Sequence, residues 1–437
     1  MSDKIVLITG AGFSAPAKIP IQNAILNEMI LQDNQSFLSE DKLFFNKKFL
    51  HSFIDVGIFL LSEYTNFPIF NLRNDYVNLT KALSERPTLI DVLDLLNSKP
   101  DSDKKIQKIL IDIYNKFIIT DDAYSKQLVL LKEQIRQALE SHKNDIILED
   151  IFTSFDKTIL TKEHGHKFTY PEMDNIKYSI MRLFVYYFGL RTSSHKLDLE
   201  DYVQTMNYIF NNKTNLSVIT TNWDTIFELY LKKKKIPYEL CLNNPYFRFD
   251  DRRIVNTKIK DGIKLIKIHG SINWCKCLSC GLISIVEKKP YAEFLFNDNV
   301  VEKCTICKKE ANGNTIQLQP EIITPTMIKS ISSQLYNNLW REASIELSKA
   351  TKIIFIGYSL PTADFEFRYL LKRNINPTAK IDVVLIDSDK PKKITKKNKY
   401  LQNLLPFKRY EDLFSQNKIE FFYDGFGNYF RNINPIT

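Results

Sequence analysis

The run Ile5-Val6-Leu7-Ile8-Thr9 ends directly on Gly10-Ala11-Gly12, and this junction limits the fold more than any other feature of the chain. Five consecutive apolar or β-branched residues suit a strand buried on both faces. Such a strand needs helices above and below it. Glycine at its end lets the backbone turn sharply into a following helix, expected here from about Ile21. The pattern returns further on. Segments 216–220, 263–268, 316–323, 352–356 and 380–386 read as strands, with helical patterns at 225–233, 331–347 and 364–373. This alternation predicts an α/β fold: a Rossmann-like parallel sheet with helices on both faces.

Between 36 and 212 the texture differs. Helical periodicity dominates and glycine nearly vanishes, so this stretch reads as a large, mainly helical insertion serving regulation or oligomerisation. The catalytic domain is then expected at 1–35 and 213–400, with a small cysteine module at 275–307 inside it. Residues 401–437 are rich in aromatics and are expected to pack on that domain. No basic segment precedes an apolar stretch of leader length, and the longest apolar run, 183–190, is too short to cross a bilayer. Both features lead to the expectation of a cytoplasmic protein without a membrane association. The net charge of +9 includes lysine runs at 232–235 and 390–399. Neither run is interleaved with aromatics, so they read as solvated faces rather than a single-strand nucleic-acid groove.

Four further patterns carry chemistry. Gly10-Ala11-Gly12-Phe13-Ser14-Ala15 fits G-x-G-x-x-A between a strand and a helix. In that setting backbone amides and a helix amino terminus can hold a pyrophosphate. A dehydrogenase of this type needs an acidic residue about 20 positions on, for which Glu28 and Asp33 are only approximate. Thr220-Thr221-Asn222-Trp223-Asp224 closes the strand at 216–220. Side chains at the carboxyl end of a parallel strand reach the ligand crevice. An Asn there offers both a donor and an acceptor, and an Asp adds acceptors; Asp224 equally suits capping the next helix. His269-Gly270-Ser271 closes the strand at 263–268, and imidazole is the natural general base near neutral pH. Gly357-Tyr358-Ser359-Leu360 and Asp387 end two later strands and fit the far half of the same crevice.

Cysteine spacing is the most specific signal. Cys277-x-x-Cys280 is followed after 23 residues by Cys304-x-x-Cys307. Two such knuckles supply four thiolates for a closed, structural zinc ion. Cys275 is a fifth cysteine able to stand in for a neighbour, and Cys241 reads as an ordinary buried thiol.

In this order the motifs resemble the sirtuin family. Gly10-Ala11-Gly12-Phe13-Ser14 resembles its GAGxS loop, Thr220 to Asp224 its T-Q-N-x-D motif, His269-Gly270 its H-G, and Gly357 to Leu360 its G-T-S-L, with the cysteine pairs between the last two. The resemblance covers roughly 1–30 and 214–390. It implies that NAD is the substrate and that zinc is structural. It implies that His269, Asn222 and Asp224 are catalytic: His269 the base, Asn222 holding the nicotinamide ribose or a water, Asp224 the carboxamide. It places Gly10, Ala11, Gly12, Phe13, Ser14, Thr221, Gly357, Ser359 and Asp387 around the dinucleotide.

The sequence also departs from the protein deacylases of that family. Lys18-Ile19-Pro20-Ile21-Gln22-Asn23 stands where they carry G-I-P-D-F-R, and Ile322-Ile323-Thr324-Pro325-Thr326 stands where they carry the Phe-Gly-Glu segment of the acyl-lysine channel. These departures resemble the sirtuin-like effectors of bacterial antiphage systems, which hydrolyse NAD to ADP-ribose and nicotinamide. That resemblance implies a homo-oligomer, or control through a nucleic-acid-handling partner such as a HerA-like ATPase or a short Argonaute. The alternative is an NAD-dependent lysine deacylase.

Overall fold

In the computed structural model, the residues described are 3–19, 148–163, 167–194, 199–242, 246–248, 253–255, 262–277, 279–286, 318–327, 334–386 and 406–433, with isolated positions such as Ile25 and Cys307. By its contacts the chain divides into two compact units: 1–22, 188–291 and 303–437 in the first, 23–187 and 292–302 in the second.

The first unit is organised by a seven-stranded, wholly parallel sheet. Its strands are β1 (Ile5–Thr9), β2 (Leu216–Thr220), β3 (Tyr238–Glu239), β6 (Ile263–Lys267), β10 (Lys352–Ile356), β11 (Lys380–Val384) and β12 (Lys418–Phe422), in the spatial order β12-β11-β10-β1-β2-β6-β3. The chain starts in the middle at β1, runs through β2 to the edge at β3, turns back to β6 between them, then crosses to β10 on the other side of β1. The seam between β1 and β10 is therefore the topological switch point, where open α/β sheets form a crevice beyond the strand ends. Every residue of β1 and β2 is buried, as the unbroken apolar runs require of strands covered on both faces. Helices α5 (Ile226–Lys233), α6 (Gln334–Lys349) and α7 (Phe365–Asn374) connect these strands. Leu339, Ala343 and Leu347 mark the buried stripe of α6, each four residues from the last.

A second sheet of five strands has the order β5-β4-β8-β7-β9, comprising β4 (Tyr246–Arg248), β5 (Arg253–Val255), β7 (Gly270–Cys277), β8 (Ile283–Ile285) and β9 (Leu318–Ile322). β7 pairs antiparallel with both β8 and β9. The segment 316–323 was expected in the parallel sheet; it belongs instead to this second one. Its burial alternates, with Leu318, Pro320 and Ile322 buried and Gln319 and Glu321 only partly so, as one covered face demands.

The carboxyl-terminal segment is more than packing. It supplies β12 and two helices, α8 (Pro406–Leu413) and α9 (Gly425–Ile433). Helix α4 (Glu200–Asn212) lies in the first unit against α9. Tyr202 of α4 is fully buried between Phe13, Tyr230 and Phe426, with ring centroids 5.1, 4.5 and 5.4 Å away.

In the second unit, α2 (Leu148–Thr161) sets Phe152 and Phe155 against Phe184, from α3 (Tyr170–Ser194), and Phe59. The helix expected from Ile21 lies outside the described residues. Among the described residues, no helix is long and apolar enough to cross a membrane.

Candidate active site at the switch point

Two glycine turns meet at the β1–β10 seam. The Gly12 N–H donates to the Gly357 carbonyl over 2.9 Å. A Cβ on Gly12 would stand 2.7 Å from the Gly357 Cα, and one on Gly10 would stand 2.8 Å from the Gly357 oxygen. Gly357 has φ +57°, a conformation that favours glycine, and a Cβ there would meet the Gly12 backbone at 2.4 Å. These glycines are therefore required by the close approach of two backbones. Their amides are engaged as well: Gly10 N–H donates to Ile356 and Phe13 N–H to Gly10.

The residues singled out in the sequence fall into two groups on this seam. In the first, the Asn222 Nδ2 donates to the Gly10 carbonyl and to Ser14 Oγ, both at 2.9 Å. That leaves Oδ1 to accept from a hydroxyl or a water. Ser14 Oγ in turn donates to Asp224 Oδ2 over 2.7 Å. The other Asp224 oxygen accepts the Ile226 N–H at the start of α5, at 3.0 Å. Asp224 is 5% exposed; with both oxygens bonded it anchors Ser14 and the helix start. Thr221 N–H donates to the Thr9 carbonyl. Ala11 is exposed, whereas the Phe13 ring is buried in the core, 5.1 Å from Tyr202 and from Phe426. The Phe13 backbone is engaged as well, its N–H donating to the Gly10 carbonyl and its own carbonyl accepting from the Tyr202 hydroxyl at 2.6 Å.

In the second group, His269 is buried and its Nε2 lies 3.8 Å from Asp364 Oδ1. The Tyr358 hydroxyl donates to Asp364 Oδ2 over 3.0 Å. Burial pushes the Tyr358 phenol well above its ordinary pKa, and the Asp364 carboxylate reinforces the shift, so the phenol remains a donor. Gly270, beside the histidine, has φ +78°, and a Cβ there would meet the Glu321 carbonyl at 2.3 Å.

Strand register joins the groups. Thr220 of β2 is paired with Lys267 of β6. Asn222 and His269 therefore each stand two residues past a paired position on adjacent parallel strands. Beyond them the chains stay together, with Ile272 N–H and Ser271 Oγ donating to the Trp223 carbonyl at 2.9 and 3.2 Å.

Several contributors carry no motif. Lys267 is 1% exposed, and its Nζ donates to the Asp224 carbonyl and pairs with Glu228 at 2.8 Å. Its one signal in the sequence is a charge inside an apolar strand. From the carboxyl-terminal segment, Tyr410 donates to the Tyr358 carbonyl at 2.6 Å and Arg409 to that of Ser359 at 2.9 Å. They hold the turn that places Leu360 at φ +51°. Further along, Ile386, Tyr423, Asp424, Gly425, Asn428 and Asn432 line an open cavity of about 570 Å³. It lies at the carboxyl ends of β11 and β12; Asp387, next to Ile386, is outside the described residues.

The cysteine module lies on the second sheet. The sulfurs of Cys277, Cys280 and Cys307 lie within 4.8 Å of one another. Cys277 and Cys307 are 4.0 Å apart, far beyond a disulfide bond. Four thiolates around zinc sit about 3.8 Å apart, given Zn–S bonds of about 2.3 Å, so the three positions fit. The knuckle is closed by Gly281, at φ +72°, whose N–H donates to the Cys277 carbonyl. Cys304 lies outside the described residues. Cys275 is not in the cluster, and burial, with the Glu321 carboxylate nearby, pushes its thiol up to about 12.

A wholly parallel sheet, glycine turns at its switch point and polar side chains past the strand ends define an α/β ligand-binding protein of the Rossmann type. The comparisons are more specific. Residues 216–405 match the family described as SIR2-like domain. The loop at Gly10 lies outside that match. Solved structures that resemble the chain include Sir2Tm bound to a propionylated peptide (14% identity, 60% of this chain, 80% of that one, TM-score 0.33). Another is a structure from work on the structural basis of sirtuin substrate affinity (12%, 99% and 93%, TM-score 0.35). A third is a Sir2–p53 peptide–NAD+ complex (14%, 60% and 79%, TM-score 0.33). At these scores the fold rests on the strand order itself. Among curated proteins, none matches the sequence.

Proposed function

We propose that this chain is an NAD+ glycohydrolase, which cleaves NAD to ADP-ribose and nicotinamide. The observation that carries the reading is the matched placement of Asn222 and His269 two residues past the Thr220–Lys267 pair, beside the glycine seam. An amide oxygen and an imidazole there flank one position for a ribose. NAD is the substrate. The bond between nicotinamide and C1′ of the ribose breaks, and its electron pair returns to the pyridine ring. A water oxygen bonds C1′, and the proton it loses passes to His269. Asn222 Oδ1 orients that water or a ribose hydroxyl. Ser14 and Asp224 hold Asn222 in place. Gly10, Ala11, Gly12 and the Phe13 backbone line the phosphates, and Gly357, Ser359 and Asp387 the adenosine half.

Hydrolysis is favoured over deacylation by the segment at Ile322–Thr326. Ile323 N–H donates to the His269 carbonyl at 2.8 Å, and its own carbonyl takes the Trp223 indole N–H at 3.1 Å. Thr324 and Thr326 are buried. This strand end lies against the histidine backbone, and its sequence stands where the deacylases carry the Phe-Gly-Glu segment of the acyl-lysine channel. Zinc, held by Cys277, Cys280, Cys307 and Cys304, would brace the second sheet and take no part in the reaction.

The wider role rests on the resemblance to the sirtuin-like effectors of antiphage systems. Unrestrained NAD hydrolysis kills a cell, so activity needs a trigger. The reading is an NAD-depleting effector of antiphage defence in the cytoplasm. It is switched on by self-association or by a nucleic-acid-handling partner such as a HerA-like ATPase or a short Argonaute, engaged through the helical unit. The experiment is product analysis: the purified chain with NAD, alone and with candidate partners, with and without an acetylated peptide. ADP-ribose and nicotinamide formed without peptide are expected. O-acetyl-ADP-ribose formed only with peptide would make the chain a deacylase.

A further inference from the structure

Asp364 is the first residue before α7, the position where an aspartate ordinarily caps the helix with its side chain. Here it makes no such cap. Its carboxylate turns to the crevice instead, with Oδ2 accepting from Tyr358 at 3.0 Å and Oδ1 standing 3.8 Å from His269 Nε2. Asp364 is 9% exposed and His269 6%. A buried carboxylate beside a buried imidazole, itself held by a third group, is the arrangement by which an acid fixes the tautomer of a catalytic histidine.

We propose that Asp364 is the positioning residue for His269, with Tyr358 holding Asp364. The inference rests on the glycohydrolase reading for its catalytic meaning, but the pair itself is independent of it. With the Nε2–H directed at Asp364, the lone pair of the neutral ring is on Nδ1, and that atom receives the proton lost by water. The resulting imidazolium is balanced by the Asp364 carboxylate, and the ring returns its proton to solvent on product release. The separation of 3.8 Å is an ion-pair distance; catalytic contacts of this kind tighten when the substrate complex forms.

Among the described residues, the other charged groups around the histidine have partners of their own. Lys267, two residues back on the strand, points to Glu228 at 2.8 Å. Asp224 is held by Ser14 and Ile226 N–H. Glu321 of β9 lies 3.8 Å from Lys276 and bonds Tyr336. Arg368 of α7 acts on Tyr358. On the far side of the strand end, Trp340 donates to the Ile268 carbonyl and brings no charge. Asp364 is thus the group placed to govern the proton affinity of His269. Burial by itself lowers that affinity, whereas an adjacent carboxylate raises it.

The test is an NMR titration of the full chain, labelled at its six histidines, with His269→Ala used to assign the signal and no NAD present. In the wild type the neutral His269 ring is expected to carry its proton on Nε2, facing Asp364. Asp364→Asn should lower the midpoint by about one unit, a tenfold loss of proton affinity, and Asp364→Glu should restore part of it. The acid limb of NAD turnover should move by the same amount, with kcat falling more than KM rises. A midpoint unchanged in folded Asp364→Asn overturns the proposal. Should that variant fail to fold, a wild-type neutral ring protonated on Nδ1 overturns it equally. A midpoint that moves in a protein that never turns NAD over would leave the pair standing and remove the glycohydrolase reading.

Discussion

Gly12 and Gly357 touch backbone to backbone across the switch point, the N–H of one donating to the carbonyl of the other at 2.9 Å. Neither has room for a side chain: a Cβ on Gly357 would lie 2.4 Å from the Gly12 carbonyl carbon. Gly12→Ala should therefore push the two turns apart. The expected cost is about 1–3 kcal/mol, as for other overpacked sites, together with weaker protection by NAD in a thermal shift assay. A Tm and an NAD-induced shift equal to wild type would show that the seam tolerates separation.

Beneath the site, Lys267 and Glu228 form a buried pair at 2.8 Å. Lys267→Met strands the glutamate in the core and frees the Asp224 carbonyl. Removing one partner of such a pair costs roughly 3–5 kcal/mol. The double change Lys267→Met with Glu228→Met should recover much of that loss, as measured by urea unfolding. A single variant as stable as wild type would mean the pair contributes nothing.

At the opposite end of the sheet, Glu346 of α6 is 3% exposed and pairs with Lys4 at 2.6 Å and Lys264 at 2.8 Å. Burial alone would raise its pKa, but hydrogen bonds from Lys264, Lys4 and Ser217 outweigh it and bring the carboxyl down to about 2. A depressed folded value means that the stabilisation is complete above the ordinary 4.5 and is lost as pH falls towards 2. Glu346→Gln should cost on the order of 2 kcal/mol at pH 7. The gap to wild type should close between pH 4.5 and 2. A gap that persists at pH 2 would contradict the assignment. The crevice is remote from this network, so NAD turnover per folded molecule should not change.

The clustered sulfurs of Cys277, Cys280 and Cys307 lead to a metal prediction. The purified chain should carry about one zinc per molecule, the stoichiometry of a single four-thiolate site. Cys277→Ser should lose the metal and destabilise the second sheet. Metal analysis that finds zinc retained in that variant would move the site elsewhere.

The parallel core was legible from sequence because a strand covered on both faces must be apolar throughout, and β1, β2 and β10 begin and end where their apolar runs do. The second sheet was not. Its strands alternate or are very short, and Leu318–Ile322 was drawn into the parallel set because its length and composition suit either sheet. The carboxyl-terminal strand Lys418–Phe422 was also missed: it is the edge strand of the sheet, only partly covered, and its residues mix aromatics with charges. In the site, Asn222, Ser14 and Asp224 were found by motif and are joined by direct hydrogen bonds. Asp364 and Tyr358 escaped as partners of His269, because they lie about 90 positions from it in the chain and are brought to it only by the crossover to β10.

The most direct test of the central claim is NAD turnover by Asn222→Ala and His269→Ala, each first shown to be folded by circular dichroism and by a Tm near that of wild type. If the two residues face one ribose beside the Gly12–Gly357 seam, each variant should lose at least about a hundredfold in kcat, the lower bound for removing a general base, with ADP-ribose and nicotinamide disappearing together. Turnover at the wild-type rate in either folded variant would contradict the account.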